Sequence, residues 1–315
     1  RKNSSLKFKK MSKKIVFMGT PEFSVQTLEV LSKSKYQIEC VYTQPAKKSA
    51  RGQKIKKSPI QITSEKLGLN TRCPVDLDEK EYEYFKSIKP YIVVVVAYGK
   101  IIPKKFLDLP KEGFLNIHAS LLPKWRGAAP IQRAIMNRDN IVGISFMKIE
   151  EGLDEGPYTR QIKISINEQT TCMELSKNLS KLGAENILEC IKSIENGNAK
   201  FIKQDDSKSS YAKKIDKKES KINWQDSAKN ILSKINSLNP SPVAWFNLNG
   251  LRYKVWKAEI SESNGKAGEI IEENLTIACG EKSLKIIEIQ KEGKNKMLVK
   301  DFILGVKIKK GNRVE

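Results

Sequence analysis

A chain of 315 residues, 39% hydrophobic and 30% charged, has material for two domains of ordinary size, each able to bury a core. No apolar run approaches the roughly 18 residues of a membrane span, and the five cysteines, odd in number and without a C-x-x-C pair, argue against a disulfide framework or a thiolate metal site. The single histidine closes off most zinc arrangements, and a net charge of +22 favours a polyanionic partner, nucleic acid before anionic membrane.

The charge is concentrated at the ends. Residues 1–63 carry 15 Lys and Arg against 3 acids, whereas 64–215 carry 24 against 20 and 216–315 carry 19 against 13. Lysine is used heavily throughout, so charge alone does not decide for RNA. Residues 1–12 form a basic extension, expected to be disordered, with no apolar segment of a secretory signal and with Met11 as the expected start. Lys14–Met18 predicts a first strand and Phe23–Ser32 a helix, with Thr20 as N-cap and Pro21 in the first turn. This Rossmann-like opening has one glycine where a dinucleotide fingerprint needs three, which disfavours NAD. Gln37–Thr43 alternates like a half-buried strand.

The stretch Pro45–Pro59, PAKKSARGQKIKKSP, is dense in Lys and Arg and free of acids. It reads either as a solvated loop or as a mobile loop that contacts phosphates. Gln61–Lys66 and Glu79–Lys89 look helical, with Asn70–Arg72 extended between them. Ile92–Ala97 is an apolar, mostly β-branched run, as in a parallel strand buried on both faces. Tyr98 and Gly99 end it, and Ile101–Leu109 is a loop or short helix.

Phe114–Ile117 predicts another strand. Asn116 and His118 are two residues apart and so share a face, and the Leu-Leu-Pro and Trp-Arg-Gly that follow make a rigid loop. An amide and an imidazole at the carboxyl end of a strand look like a prepared site, because open strand ends are where α/β sheets bind ligands. On spacing alone such a pair is more often an ordinary polar edge. Two features favour catalysis. Neutral-pH proton chemistry by imidazole must pass through His118, and Glu150–Pro157, EEGLDEGP, gathers acids in a glycine-bounded loop that could pair with it.

Around these, Ala129–Asn137 predicts a helix, Val142–Ile149 a strand and Gln161–Ile166 an edge strand. Thr171–Asn196 is a long helix ended by Gly197. Residues 198–216 are polar and read as a linker. Ser227–Leu238 is a short helix, and strand-like runs at 243–248, 251–260, 267–272, 274–279, 283–291 and 306–309 suggest a small β-barrel.

These stretches carry a resemblance. NIHASLLPKWRGAAPIQRAI followed by EGLDEGP, with KIVFMGTPEFSV, TQP, RGQK, VVVVAYGKIIP, INW, VAWF, VWKA and GNR, closely resembles the methionyl-tRNA formyltransferases from about Lys14 onward. The SLLP and Asp-bearing loops recur in several folate-dependent formyltransferases; WRGAAPIQ and the C-terminal segments are more specific to the tRNA family. The resemblance implies an α/β fold: a Rossmann-like, mostly parallel-sheet catalytic domain over 13–197, a linker over 198–216, and a small OB-like tRNA-binding β-barrel over 217–315. It implies formyl transfer from 10-formyltetrahydrofolate to the α-amine of methionyl-tRNA, with Asn116, His118 and Asp154 catalytic and no metal.

By the same resemblance Ser120, Leu121, Leu122 and Pro123 form the folate loop, and Tyr98 and Gly99 one wall of its pocket. Arg51, Lys54, Lys56, Lys57 and Arg126 would contact tRNA, Arg126 alternatively the folate glutamate. Gln53 stands where a basic residue is common, which weakens the loop's match. The expected partners are initiator methionyl-tRNA and tetrahydrofolate, with no membrane, for a monomer of the bacterial cytoplasm rather than an organelle matrix. The alternatives are a non-catalytic RNA-binding protein and a transferase acting on a small nucleotide. The intact Asn, His and Asp set favours an enzyme; the basic loop and barrel favour tRNA.

Overall fold

The computed structural model describes residues 12–48, 55–306 and 308–315. In chain order its first elements are β1 (Lys14–Gly19), α1 (Val25–Ser32), β2 (Gln37–Tyr42), the two-residue strands β3 (Lys47–Lys48) and β4 (Ile55–Lys56), α2 (Pro59–Lys66), β5 (Thr71–Arg72), α3 (Glu79–Ile88) and β6 (Ile92–Val96). Next come α4 (Lys104–Leu107), β7 (Phe114–His118), β8 (Arg126–Gly127), α5 (Pro130–Met136), β9 (Ile141–Lys148), β10 (Tyr158–Ser165) and α6 (Cys172–Glu195). By internal contacts the chain divides into two units. The first runs to Pro123 and adds Ile144–Ile162 and Leu179–Ser207; the second comprises Lys124–Gly143, Lys163–Asn178 and Lys208–Glu315. Segments 124–143 and 163–178, which the sequence groups with the N-terminal domain, therefore pack among C-terminal residues.

The main sheet has seven strands in the order β10-β9-β7-β6-β1-β2-β5. Pairing is parallel from β7 through β6, β1 and β2 to β5, and antiparallel between β7 and β9. β6 is apolar and buried at every position, as a strand covered on both faces must be. Strand order reverses at β1, with β2 on one side and β6 on the other, and open α/β sheets bind ligands at the carboxyl ends beside such a reversal. Thr20 does not cap a helix as the sequence predicts. A single 3-10 turn over Glu22–Ser24 precedes α1, and the Thr20 hydroxyl donates instead to the Tyr98 carbonyl at 2.8 Å, tying the ends of β1 and β6 together.

Within the described residues, the two ends of the basic stretch pair with each other. Lys47 pairs with Lys56 and Lys48 with Ile55, making a short hairpin. Ser58 then caps α2 by accepting from the Gln61 N–H at 2.9 Å. Arg51 and Lys54 lie outside the described residues.

In the second unit β11 (Tyr211–Ala212) pairs in parallel with β8, so part of the expected linker is a strand. α7 (Ala228–Ser237) buries Ala228, Ile231, Leu232 and Ile235 at helical spacing. The sheet that follows has β12 (Ala244–Leu248), β13 (Leu251–Ser261), β14 (Ile270–Glu272), β15 (Thr276–Ala278), β16 (Ser283–Lys291) and β17 (Met297–Leu298). Its order is β12-β13-β16-β15-β14, with β17 on β16, and its pairings are antiparallel. The two edges are bridged by residues 311–315. Ile270 N–H donates to the Asn312 carbonyl and Val314 N–H to Gly268, while Asn247 and Glu315 exchange both of their main-chain bonds. No edge is left open where that segment runs, which is how a barrel avoids unpaired strands.

Trp224, Phe246, Tyr253 and Phe302 meet in sequence through the core, edge-on, stacked and edge-on, with successive centroids 5.5 to 5.9 Å apart. The strand expected at 306–309 is absent among the described residues; a helix, α8 (Val299–Gly305), precedes it, and Ile308 is buried without strand pairing. No described helix is long and apolar enough to cross a membrane.

Candidate active site

β7 is buried at all five positions although two of its side chains are polar. Asn116 is 9% and His118 6% exposed, and polar groups this deep persist only with partners. Their side chains point to one face of the strand because they are two residues apart. The loop bearing Asp154 leaves β9 beside Phe114, at the opposite end of β7 from His118, since Ile149 N–H donates to the Phe114 carbonyl. It nevertheless brings the Asp154 carboxylate to 3.6 Å from His118 Nδ1. That is an ion-pair distance, longer than a hydrogen bond.

Two local features shape this loop. Asp154 adopts a left-handed backbone with φ 54, a conformation that aspartate accepts more readily than most other non-glycine residues. Gly156 passes so close to β9 that a Cβ there would lie 1.9 Å from the Lys148 carbonyl oxygen. Gln204, 5% exposed, donates its amide to the carbonyls of Asp154 at 2.8 Å and Gly156 at 2.7 Å. Gln204 lies in the segment that composition reads as a linker, so nothing in the sequence marks it.

The loop Ser120–Pro123 follows β7 directly. The Ser145 hydroxyl, fully buried on β9, accepts from the Leu122 N–H at 3.0 Å and donates to the Ser120 carbonyl at 2.7 Å. Gln161 donates to the Leu122 carbonyl at 2.8 Å and to Ser145 Oγ at 2.9 Å. The main chain of Leu122 is therefore engaged within the protein, and Leu121 and Pro123 on either side of it are half-buried. A serine alone in the apolar run IVGISFMK was the one available signal for this arrangement.

At the end of β6 the ring of Tyr98 is 2% exposed and belongs to the core with Phe85, Phe106 and Phe114. Burial pushes its phenol well above the ordinary tyrosine range. The ring at this position therefore packs into the core. The Tyr98 carbonyl accepts from Thr20 and from Gln44 Nε2 at 3.0 Å, and Gln44 also donates to the exposed Gly99 at 2.9 Å.

Of the expected tRNA contacts, Lys56 is exposed, and Lys57 pairs with Glu65 at 2.7 Å. Arg126 is 1% exposed and does not present its guanidinium at the surface; its N–H donates to the Ser210 carbonyl. Among the described residues no three His, Cys, Asp or Glu side chains gather in a way that could hold a metal ion.

Comparison with known proteins adds a family. Residues 13–191 match the formyl transferase family model, and 214–307 match the formyl transferase C-terminal domain. The chain is 50% identical over 307 residues to a methionyl-tRNA formyltransferase of Pelagibacter ubique (strain HTCC1062), spanning 96% of this chain and 99% of that protein. A second methionyl-tRNA formyltransferase, from Bradyrhizobium diazoefficiens, is 40% identical over the same shares of each chain. In fold, the chain resembles an N-formyltransferase of Helicobacter canadensis crystallised with folinic acid and dTDP-3-aminofucose. The TM-score is 0.67 at 22% identity, covering 89% of this chain and all of that one. HypX of Aquifex aeolicus, in complex with tetrahydrofolic acid, matches with a TM-score of 0.62 at 16% identity, over 92% of this chain and 46% of that one.

Proposed function

The chain belongs to the methionyl-tRNA formyltransferase family, and on that premise we propose that it formylates the α-amine of initiator methionyl-tRNA from 10-formyltetrahydrofolate, with Asn116, His118 and Asp154 as its catalytic side chains. The observation that carries the reading is a buried amide and imidazole on one strand face with a carboxylate 3.6 Å from the ring.

The bound folate supplies the activated formyl carbon. As the amine adds to that carbon, charge grows on the formyl oxygen, and a fixed donor aimed there contributes about 3–4 kcal/mol. The Asn116 amide is such a donor, on a strand too well packed to reorient at the moment of reaction. With Nδ1 facing Asp154, the His118 ring turns Nε2 toward the substrate, where it donates to the same oxygen or accepts the proton the amine must lose. Collapse of the tetrahedral adduct then breaks the bond from the formyl carbon to N10, and N10 takes up a proton as tetrahydrofolate leaves. Asp154 fixes that orientation and balances the charge of the protonated ring. Separations of this kind are commonly long before substrate binds and tighten in the complex.

The apolar surface of Leu121 and Pro123 and the side-chain-free backbone at Gly99 suit a flat folate ring. The exposed Lys56, with Arg51 and Lys54 nearby in the sequence, suits the phosphates of tRNA.

Incubation with 10-formyltetrahydrofolate and methionyl-tRNA, scored for acid-stable formyl-methionine, tests the activity. Asn116→Ala and His118→Ala are each expected to lower turnover about 100-fold or more, with tRNA binding nearly unchanged. Wild-type turnover in both variants would remove the trio from the mechanism.

A further inference from the structure

We propose that Gln44, Gln161 and Gln204 are positioning residues, one for each loop framing the site, and that their carboxamides set where those loops stand. The inference rests on the catalytic reading above. Each glutamine directs its amide nitrogen at a carbonyl of one loop and shares it with a second acceptor. Gln44 binds the carbonyls of Tyr98 and Gly99 at 3.0 and 2.9 Å. Gln161 binds the Leu122 carbonyl at 2.8 Å and, at 2.9 Å, the Ser145 hydroxyl that itself holds both Ser120 and Leu122. Gln204 binds the carbonyls of Asp154 and Gly156 at 2.8 and 2.7 Å.

The chemistry of the three is the same. A carboxamide offers two N–H donors from one atom without a charge, so it satisfies two acceptors at lower burial cost than an ammonium. Irregular loops have no ladder to absorb their carbonyls, which must find side chains or water. The fit is close on the loop side as well. A Cβ at Gly99, where φ is +77, would lie 2.5 Å from Gln44 Nε2. The two Gln204 bonds, one to each side of Glu155, fix the left-handed turn at Asp154.

The three clamps hold different chemistry, so their loss has different signatures. Gln204→Met keeps the volume and removes the donors; it is expected to lower kcat about 10- to 100-fold with KM little changed, because a displacement of about 1 Å at reacting groups costs on the order of 100-fold. Gln44→Met and Gln161→Met are expected to raise the KM for 10-formyltetrahydrofolate about 10-fold with kcat within about 2-fold. In an Asp154→Asn background, Gln204→Met should cost nothing further.

The inference is overturned if all three variants shift kcat and KM alike, or if Gln204→Met lowers kcat equally with and without Asp154. Asp154→Asn alone keeping wild-type kcat would instead bring down the catalytic reading, and this inference with it. Should Gln204→Met fail to fold, Gln204→Glu carries the test. Its carboxylate opposes two carbonyl oxygens, so its activity relative to wild type should rise as pH falls and the carboxyl becomes a donor; a flat ratio would overturn the inference.

Discussion

His118 and Asn116 reach the interior on a strand whose other residues are Phe, Leu and Ile, so the packing that fixes the strand also fixes the two polar groups. The Asp154 loop obtains comparable precision by a different route, through a glycine that cannot be replaced. At Gly156 the obstacle to a side chain is the Lys148 carbonyl, which is main chain in a sheet and cannot swing aside. Gly156→Ala is therefore expected to displace the whole loop and lower kcat by about 100-fold, as misplacing a catalytic group by about 1 Å does. Steady-state turnover, read beside a thermal melt, checks this; unchanged kcat would mean the carboxylate position is not critical.

At the scale of elements, the candidate site lies among three loops that follow strands of one sheet, and the basic stretch pairs its two ends as a hairpin. The β3–β4 pair holds Lys56 on a short antiparallel ribbon, followed at once by the Ser58-capped α2. An exposed lysine on an anchored ribbon meets a phosphate at less entropic cost than one on a free loop. If Lys56 contacts tRNA, Lys56→Ala should raise the KM for methionyl-tRNA and reduce the magnitude of the log–log salt slope by about one phosphate's share. Measuring KM across a salt series decides it; an identical slope would return the lysine to ordinary surface.

At the scale of the molecule, one ionic cluster bears on stability in acid. Glu195, at the end of α6, takes Lys13 at 2.8 Å, the Tyr36 hydroxyl at 2.8 Å and Lys35 at 3.1 Å. These donors, Lys13 foremost, hold its carboxyl at about 2, below the ordinary 4.5. A carboxyl depressed by folding stabilises fully above its unfolded value and loses that contribution as pH falls through the folded one. Glu195→Gln should thus lower Tm at neutral pH and flatten the Tm profile between about pH 4.5 and 2. Parallel profiles for the two proteins would show that the cluster contributes nothing.

The sequence by itself determined the alternation of strand and helix, the buried β6, the Asn116–His118 pair and the basic ends, because each is a local pattern of apolarity, spacing or charge. It also pointed to the glycine-bounded acidic loop Glu150–Pro157, within which the family resemblance singled out Asp154. Only the tertiary structure decided that Tyr98 turns its ring into the core, that Arg126 is buried, that residues 311–315 close the barrel, and that Thr20 binds a neighbouring strand end rather than capping a helix. The roles of Gln44, Gln161 and Gln204 were invisible for the same reason, even though Gln44 stands in the TQP segment. What a side-chain amide does depends on which carbonyls the folded chain brings within 3 Å of it, and no periodicity records that.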